Sequence, residues 1–131
     1  MAVRDIIFLG AQTKMTTNPI NFTEFWDFYV SEHSLPMTRA LHFIGTSLGI
    51  ALLIFFIVRG QWYFFPAFFV VGYAFAWFAH FVVEKNKPAS FRFPLWSFIS
   101  DFKMMWYMAT GRMGREVERV TGESSLVREL R

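Results

Sequence analysis

The sequence predicts an all-α integral membrane protein in which two antiparallel transmembrane helices are flanked by interfacial or partly inserted helices. The first observation is composition: 54% of the 131 residues are hydrophobic and 18 are phenylalanine, more than the interior of so small a soluble domain can hold. The second is a pair of long runs without Lys, Arg, Asp or Glu, separated by three residues. The third is the uneven distribution of basic residues.

The two runs, residues 41–58 and 62–83, have lengths that suit a bilayer. As helices they would reach about 27 and 33 Å, close to the hydrocarbon thickness. The connection Arg59-Gly60-Gln61 leaves room only for a tight turn, so we expect an antiparallel pair. Two buried helices of a soluble protein are the alternative, but the chain has no amphipathic layer large enough to cover them.

The basic residues indicate the orientation. Of the 13 Lys and Arg residues, three precede the first run, nine follow the second, and only Arg59 lies in the turn. The positive-inside bias therefore predicts both termini in the cytoplasm, at a bacterial inner membrane or the endoplasmic reticulum. We divide the chain into an N-terminal extension (1–20), a membrane-embedded catalytic domain (21–112) and a charged C-terminal tail (113–131), either a solvated helix or disordered.

Two further helices flank the spans. Asn21 can cap a helix from about Phe22 to Ser31, whose aromatic residues share one face, as in helices that lie in the membrane interface. After Pro94, apolar residues recur at helical spacing as far as Thr110. Asp101 and Lys103 argue against a full span there, which favours an interfacial or partly inserted helix.

The three histidines are expected to meet at one membrane face. His42 lies 18 residues before Gly60 and His80 lies 20 residues after it. Both would sit roughly 27 to 30 Å from the turn, and a bend at Pro36 can fold His33 over His42. Each span also carries a stripe of small residues, which lets transmembrane helices approach closely: Gly45, Thr46 and Gly49 with His42, and Gly72 and Ala76 with His80.

This placement favours a metal site. Because the chain has no cysteine, a transition metal would be held by imidazole and carboxylate. Glu84, one turn beyond His80, and Asp101, on the last helix, can ligate or orient an imidazole. Interfacial histidines can also hydrogen-bond headgroups or backbone carbonyls, but three of them at one depth on the contact face favour metal binding, because ionisable residues near a bilayer are costly.

Three blocks between about Asn21 and Arg112 resemble a known family. They read Phe25-Trp26-x-Phe28-Tyr29-x-x-Glu32-His33-x-x-Pro36-x-x-Arg39-x-Leu41-His42-Phe43-x-Gly45-Thr46, then Gly72-Tyr73-x-x-Ala76-Trp77-x-x-His80-Phe81-x-x-Glu84-x-Asn86-x-Pro88-Ala89-x-Phe91, and Pro94-Leu95-Trp96-Ser97-x-x-x-Asp101-x-x-Met104. The family consists of short membrane proteins, once described as a domain of unknown function. It is typified by the fungal iron(II)-dependent 2-hydroxy fatty acid dioxygenase of phytosphingosine breakdown.

The resemblance implies an enzyme that uses iron(II) and dioxygen to shorten a 2-hydroxy fatty acid by one carbon, with release of carbon dioxide. The family's histidines fall on the expected metal ligands His33, His42 and His80. Its polar motif positions fall on Glu32, Glu84, Asn86 and Asp101. Of these we assign the carboxylates of Glu32, Glu84 and Asp101 to catalysis. The expected partners are the fatty acid, dioxygen and membrane lipid, with no nucleic acid; a homo-oligomer is left open.

The chemistry suits such a site. Three ligands on one face of an octahedral iron leave positions for the carboxylate and hydroxyl of a 2-hydroxy acid and for dioxygen. All four electrons come from the substrate, which agrees with the lack of a Gly-rich nucleotide motif. The candidates to bind the substrate are Arg39, Lys85, Asn86 and Arg92, although interfacial basic residues often contact lipid phosphates instead.

Two other functions remain open from the sequence. Three imidazoles that hold zinc with one open position would activate water and give a lipid hydrolase or amidase. A small bundle that binds lipid or a partner, with purely structural histidines, would not be an enzyme. Metal content and dependence on dioxygen separate these functions.

Overall fold

The computed structural model describes residues 18–122, which contain helices and no strand. Five α-helices follow one another: α1 (Phe22–Glu32), α2 (Pro36–Val58), α3 (Pro66–Phe78), α4 (Pro94–Ala109) and α5 (Met113–Thr121). Single 3-10 turns at Trp62–Phe64 and Ala89–Phe91 precede α3 and α4, and a π-helical segment, Ala79–Glu84, continues α3. Most of the predicted N-terminal extension, and the part of the predicted tail after residue 122, lie outside the described residues.

The central element is the predicted helical hairpin. Its two arms, Pro36–Val58 and Trp62–Glu84, are each 23 residues long and apolar enough to cross a membrane. The first helix begins five residues before the predicted start at residue 41, because Pro36 occupies its first turn, where the missing N–H costs nothing. Gly60 in the turn has φ +69°, a left-handed conformation that glycine adopts without strain. The predicted all-α fold with two apolar arms is confirmed.

Glycines on α2 let the arms approach closely. A Cβ added at Gly45 would lie 2.5 Å from the Cβ of Phe75, and one added at Gly49 would lie 3.0 Å from the carbonyl oxygen of Phe68. The opposite arm differs from the predicted stripe, because a Cβ added at Gly72 would meet no atom within 4 Å. The close contact therefore joins glycines of α2 to phenylalanines of α3, while Gly72 borders a cleft.

The remaining helices form an aromatic core beside the hairpin. Asn21 caps α1 as predicted, since its side chain accepts a hydrogen bond from the Glu24 N–H. The face of α1 that the sequence predicts to lie in the interface is instead covered by α4 and α5. Its buried members are Phe25, Trp26, Tyr29 and Val30, and they pack with Ala89, Met104, Met113 and Val117.

Helix α5 docks on α1 through both apolar and charged contacts. Met113 and Val117 are buried, and the Trp26 indole donates a 2.9 Å hydrogen bond to Glu116. Arg119 forms ion pairs with Asp27 at 2.6 Å and with Glu116 at 2.9 Å. The stretch from Met113 to Thr121 is therefore a helix that packs on the bundle.

Candidate metal centre

Three histidines from three different elements lie against one another in the structure, as the hairpin geometry predicts. His33 caps the C-terminus of α1, His42 lies in the second turn of α2, and His80 lies in the π-helical segment that ends the second arm. Their side chains are almost fully buried, with exposed fractions of 1%, 5% and 2%. Burial of three imidazoles in one cluster requires that each ring nitrogen has a partner.

The Nε2 atoms of the three rings point at a common centre. The distance is 3.2 Å from His33 to His42, 3.2 Å from His42 to His80 and 3.0 Å from His80 to His33. Three nitrogens bound to one ion lie about 3.0 Å apart on an octahedral face and about 3.3 Å apart in a tetrahedron, given metal–nitrogen distances of about 2.0 to 2.1 Å. The triangle fits three ligands of a single metal ion.

The outer nitrogens explain why the inner ones are free to bind a cation. His33 Nδ1 lies 2.6 Å from the carbonyl oxygen of Tyr29, and His42 Nδ1 lies 3.4 Å from a carboxylate oxygen of Asp101. His80 Nδ1 lies 2.7 Å from Oδ1 of Asn86. These oxygens only accept hydrogen bonds, so each Nδ1 carries the proton and each Nε2 presents a lone pair.

The loop before α2 is held from both sides, which fixes His33. The Arg39 guanidinium donates hydrogen bonds of 2.9 and 2.7 Å to the carbonyl oxygens of His33 and Ser34. Glu84 accepts a 2.7 Å hydrogen bond from the Leu35 N–H and a 3.5 Å hydrogen bond from the Ser34 hydroxyl. A cation and a carboxylate from the two arms thus clamp the chain segment between α1 and α2.

The π-helical segment positions His80. It ends at Lys85, the one described non-glycine residue with a positive φ, at +58°. The N–H groups of Lys85 and Asn86 both donate to the carbonyl oxygen of His80. Wide helical turns of this kind occur often at functional sites. The Asn86 side chain then bridges two elements, since it also donates a 3.1 Å hydrogen bond to the carbonyl oxygen of Glu32.

Asp101 and Tyr29 complete the surroundings of the triangle. The Tyr29 hydroxyl donates a hydrogen bond to the Asp101 oxygen that faces His42. The ring of Tyr29 stacks on His33, with ring centroids 4.0 Å apart. Burial, followed by the Asp101 charge, raises the pKa of Tyr29 well above its usual range, so the phenol keeps its proton.

The electrostatics favour the neutral imidazole at His33. Burial lowers the pKa of His33 well below its usual range, and the neighbouring His42 and His80 lower it further. Neutral imidazole is the form that binds a metal ion. Burial, then the Glu84 charge, raises the pKa of the half-buried Glu32.

The structure places the other predicted site residues at different distances from the triangle. Asp101 contacts His42, and Asn86 contacts His80, so both lie directly behind a histidine of the triangle. Glu84 and Arg39 contact the loop that carries His33, and Glu32 contacts Asn86 through its backbone. Arg92 contacts Asn18 and lies over the ring of Phe93, while Lys85 closes the π-helical segment. Among the residues that the structure describes, the clustered candidate ligands are the three histidines.

Two residues around the site were not singled out from the sequence. Tyr29 belongs to the aromatic face of α1, so the sequence indicates a role in packing and does not reveal its contact with Asp101. Ser97 lines the cavity beside the histidines, and its buried hydroxyl has no hydrogen-bond partner among the described residues. A lone serine in an apolar helix gives no sequence signal of this kind; only the packing of α4 reveals it.

These features define a class: a small helical protein with two arms long and apolar enough to cross a membrane, and a buried three-histidine centre that could bind a metal ion. The chain belongs to the family described as 2-hydroxy-palmitic acid dioxygenase Mpo1-like, whose model matches residues 20–113. No curated protein and no solved structure compared with the chain matches it. The match spans α1 to α4 and the first residue of α5, and includes the three histidines.

Proposed function

We propose that this protein is an iron(II)-dependent dioxygenase that converts 2-hydroxy fatty acids to fatty acids one carbon shorter. The observation that carries the proposal is the buried triangle of Nε2 atoms in a chain of this family. The reaction balances without a further reductant. The bond between C1 and C2 breaks, C1 leaves as carbon dioxide, C2 becomes the new carboxyl carbon, and one dioxygen takes the four electrons, with one water formed.

His33, His42 and His80 would hold the ion. The bound iron supplies the sites at which the 2-hydroxy acid and dioxygen react, since three protein ligands leave coordination positions open. The outer partners Tyr29, Asn86 and Asp101 keep the Nδ1 protons in place, so the Nε2 lone pairs stay directed at the ion.

We assign Asp101 the role of the proton acceptor for the 2-hydroxyl group of the substrate. Its carboxylate lines the cavity beside the histidines and is half-buried, and it has a hydrogen-bond donor in Tyr29 on one side. Such a carboxylate can hold a proton close to the reacting group. Glu84, Arg39 and Asn86 act as positioning residues, because their contacts fix the segments that carry His33 and His80.

The basic residues Lys85 and Arg92 stay candidates for attracting the carboxylate of the acid. Glu32 stays a candidate for catalysis, and its backbone carbonyl accepts a hydrogen bond from Asn86. The contacts of these three residues lie outside the triangle, so we place them away from the reacting atoms. The bilayer supplies the substrate, whose acyl chain enters from the lipid while its head reaches the histidines at the cytoplasmic face.

The test uses the full chain purified without a His-tag, loaded with iron(II) under nitrogen and supplied with 2-hydroxypalmitate. On admission of air we expect pentadecanoate and carbon dioxide in equal amounts, with one dioxygen consumed for each. The matched control replaces all three histidines by alanine, and it should lose both the metal and the turnover. An iron-loaded protein that gives no product would contradict the proposal.

The same samples separate the alternatives. A zinc hydrolase would act on a lipid amide or ester under nitrogen, because activated water needs no dioxygen. A non-enzymatic lipid-binding module would keep its metal content unchanged in the His80→Ala variant. Elemental analysis of each variant, beside product analysis with and without dioxygen, distinguishes the three functions.

A further inference from the structure

A cleft runs along the hairpin away from the histidines. It is bounded by α2, α3 and α4, and most of its lining is apolar. On α3 its lining extends from Ala76 to Phe68, a length of about 12 Å along the helix. The lining residues are His42, Thr46, Phe68, Phe69, Gly72, Tyr73, Ala76, Phe98, Asp101 and Phe102.

The cleft adjoins the cavity beside the metal triangle. Four residues line both spaces: His42, Tyr73, Ala76 and Asp101. The polar groups of the combined space are concentrated at the histidine end, where Ser97 also contributes a buried hydroxyl without a partner among the described residues. The far end is aromatic, since Phe68 lies 6.3 Å from Phe98 and 6.5 Å from Phe102 between ring centroids.

A space with one polar end and one apolar end suits an amphiphile with a small head. We infer that the cleft holds the unbranched acyl chain of the substrate, with its head at the triangle and its methyl end against the aromatic cluster of Phe68, Phe98 and Phe102. This inference rests on the proposed function for the identity of the head group.

Gly72 is the position that keeps the cleft open. A Cβ added there would meet no atom within 4 Å, whereas a Cβ added at Gly45 or Gly49 would meet the opposite helix. The absence of a side chain at Gly72 is therefore not required for packing of the hairpin. It leaves a free path for the chain between the histidine end and the aromatic end.

Gly72→Phe tests the inference because it fills the cleft without changing the triangle. We expect kcat/KM for 2-hydroxypalmitate to fall by at least about tenfold, since a blocked apolar pocket loses the binding of several methylenes. The value for 2-hydroxyoctanoate should stay within about threefold of the wild-type value, because its chain ends before the block. Val70→Phe, at an exposed position on the same helix, is the matched control and should leave both values unchanged.

A second measurement does not depend on turnover. A 2-hydroxypalmitate with a photoreactive diazirine at its methyl end should label the cluster of Phe68, Phe98 and Phe102, and Gly72→Phe should abolish that labelling. A phospholipid with the same diazirine can reach Phe102, which is 36% exposed, but it should leave Phe68 and Phe98 unlabelled. Labelling only at exposed positions such as Val70, equal labelling by the phospholipid, or an equal loss of kcat/KM for both chain lengths would overturn the inference.

The two readouts also separate this inference from the proposed function. If wild-type protein labels at the cluster but turns over no 2-hydroxy acid, the proposed reaction fails and the acyl site stands. If wild-type protein is active but labels elsewhere, the reaction stands and the acyl site fails. Metal content of Gly72→Phe equal to that of the wild type confirms that the triangle is intact.

Discussion

At the scale of single residues, the site is defined by what lies behind each imidazole. Three Nε2 lone pairs that face one another at 3.0 to 3.2 Å repel unless a cation or a shared proton lies between them. The protein directs them inward by giving each Nδ1 proton an oxygen acceptor from a different element. The orientation of His80 depends most on a single side chain, because Asn86 is the acceptor at its Nδ1.

Asn86→Ala should weaken metal binding by about 10- to 100-fold, as expected when an outer partner of a ligating imidazole is removed. The measurement is a titration of the metal-loaded protein with a competing chelator, followed by elemental analysis. Asn18→Ala is the control, since Asn18 is exposed and contacts Arg92. An unchanged affinity in Asn86→Ala would show that the hydrogen bond to His80 does not position the ligand.

The sequence predicts that His42 and His80 meet because their distance from the turn follows from helix rise, and it predicts His33 beside them because Pro36 allows a bend. The roles of Asn86 and Glu84 depend on the π-helical segment and the left-handed Lys85, which no periodicity reveals. Glu84 was expected near an imidazole because it lies one turn beyond His80. In the structure its carboxylate instead accepts a hydrogen bond from the Leu35 N–H. The N–H groups at the start of a helix such as α2 have no partner within the helix, and they favour a negative charge.

At the scale of the elements, the hairpin depends on contact between small and large residues. Gly45→Ala would place a Cβ 2.5 Å from the Cβ of Phe75, so α2 and α3 would have to separate. We expect a loss of about 1 to 3 kcal/mol in the free energy of unfolding, the usual cost of overpacking. The measurement is unfolding in mixed micelles of a mild detergent and sodium dodecyl sulfate.

Gly72→Ala is the matched control for that variant. Its Cβ meets no atom within 4 Å, and alanine favours a helix over glycine by up to about 1 kcal/mol, so stability should stay equal or rise slightly. Equal destabilisation by the two substitutions would contradict the assignment of Gly45 to the contact and Gly72 to the cleft.

The docking of α5 on α1 should weaken in acid. Hydrogen bonds from Arg119 hold the pKa of Glu116 below its usual value, with a further contribution from the Trp26 indole. The folded protein therefore binds this proton more weakly than the unfolded chain. The stability that Glu116 contributes is present above the unfolded pKa of about 4.3 and is lost as the pH falls through its lower folded value. The indole N–H of Trp26 gives an NMR signal that reports the docking directly.

We expect that signal to shift with a midpoint below pH 4.3 in the wild-type protein, where about 4.3 is the value for an unperturbed glutamate. The Glu116→Gln variant should show no transition in this range. A midpoint at or above the unperturbed value would show that the hydrogen bonds from Arg119 and Trp26 do not stabilise the carboxylate.

At the scale of the whole molecule, the hairpin and the aromatic core have different roles. The hairpin supplies two of the three imidazoles and an apolar length that can cross a bilayer, and α1 with α4 and α5 covers the histidine end. The sequence predicts the hairpin because composition and length determine it. It does not predict that α1 is buried, since its aromatic face has the same pattern whether lipid or protein covers it.

The remaining whole-molecule prediction is the orientation. The excess of Lys and Arg outside the turn predicts that the turn and the histidine end lie on opposite sides of the membrane. Because the chain contains no cysteine, single thiols introduced by Gln61→Cys in the turn and by Lys87→Cys beyond the second arm report each side without background. In spheroplasts of a bacterial host, a membrane-impermeant maleimide should label the first variant at once and the second only after permeabilisation. Immediate labelling of both variants would mean that the arms do not span the membrane, and the opposite pattern would mean that the histidine end lies on the outer face.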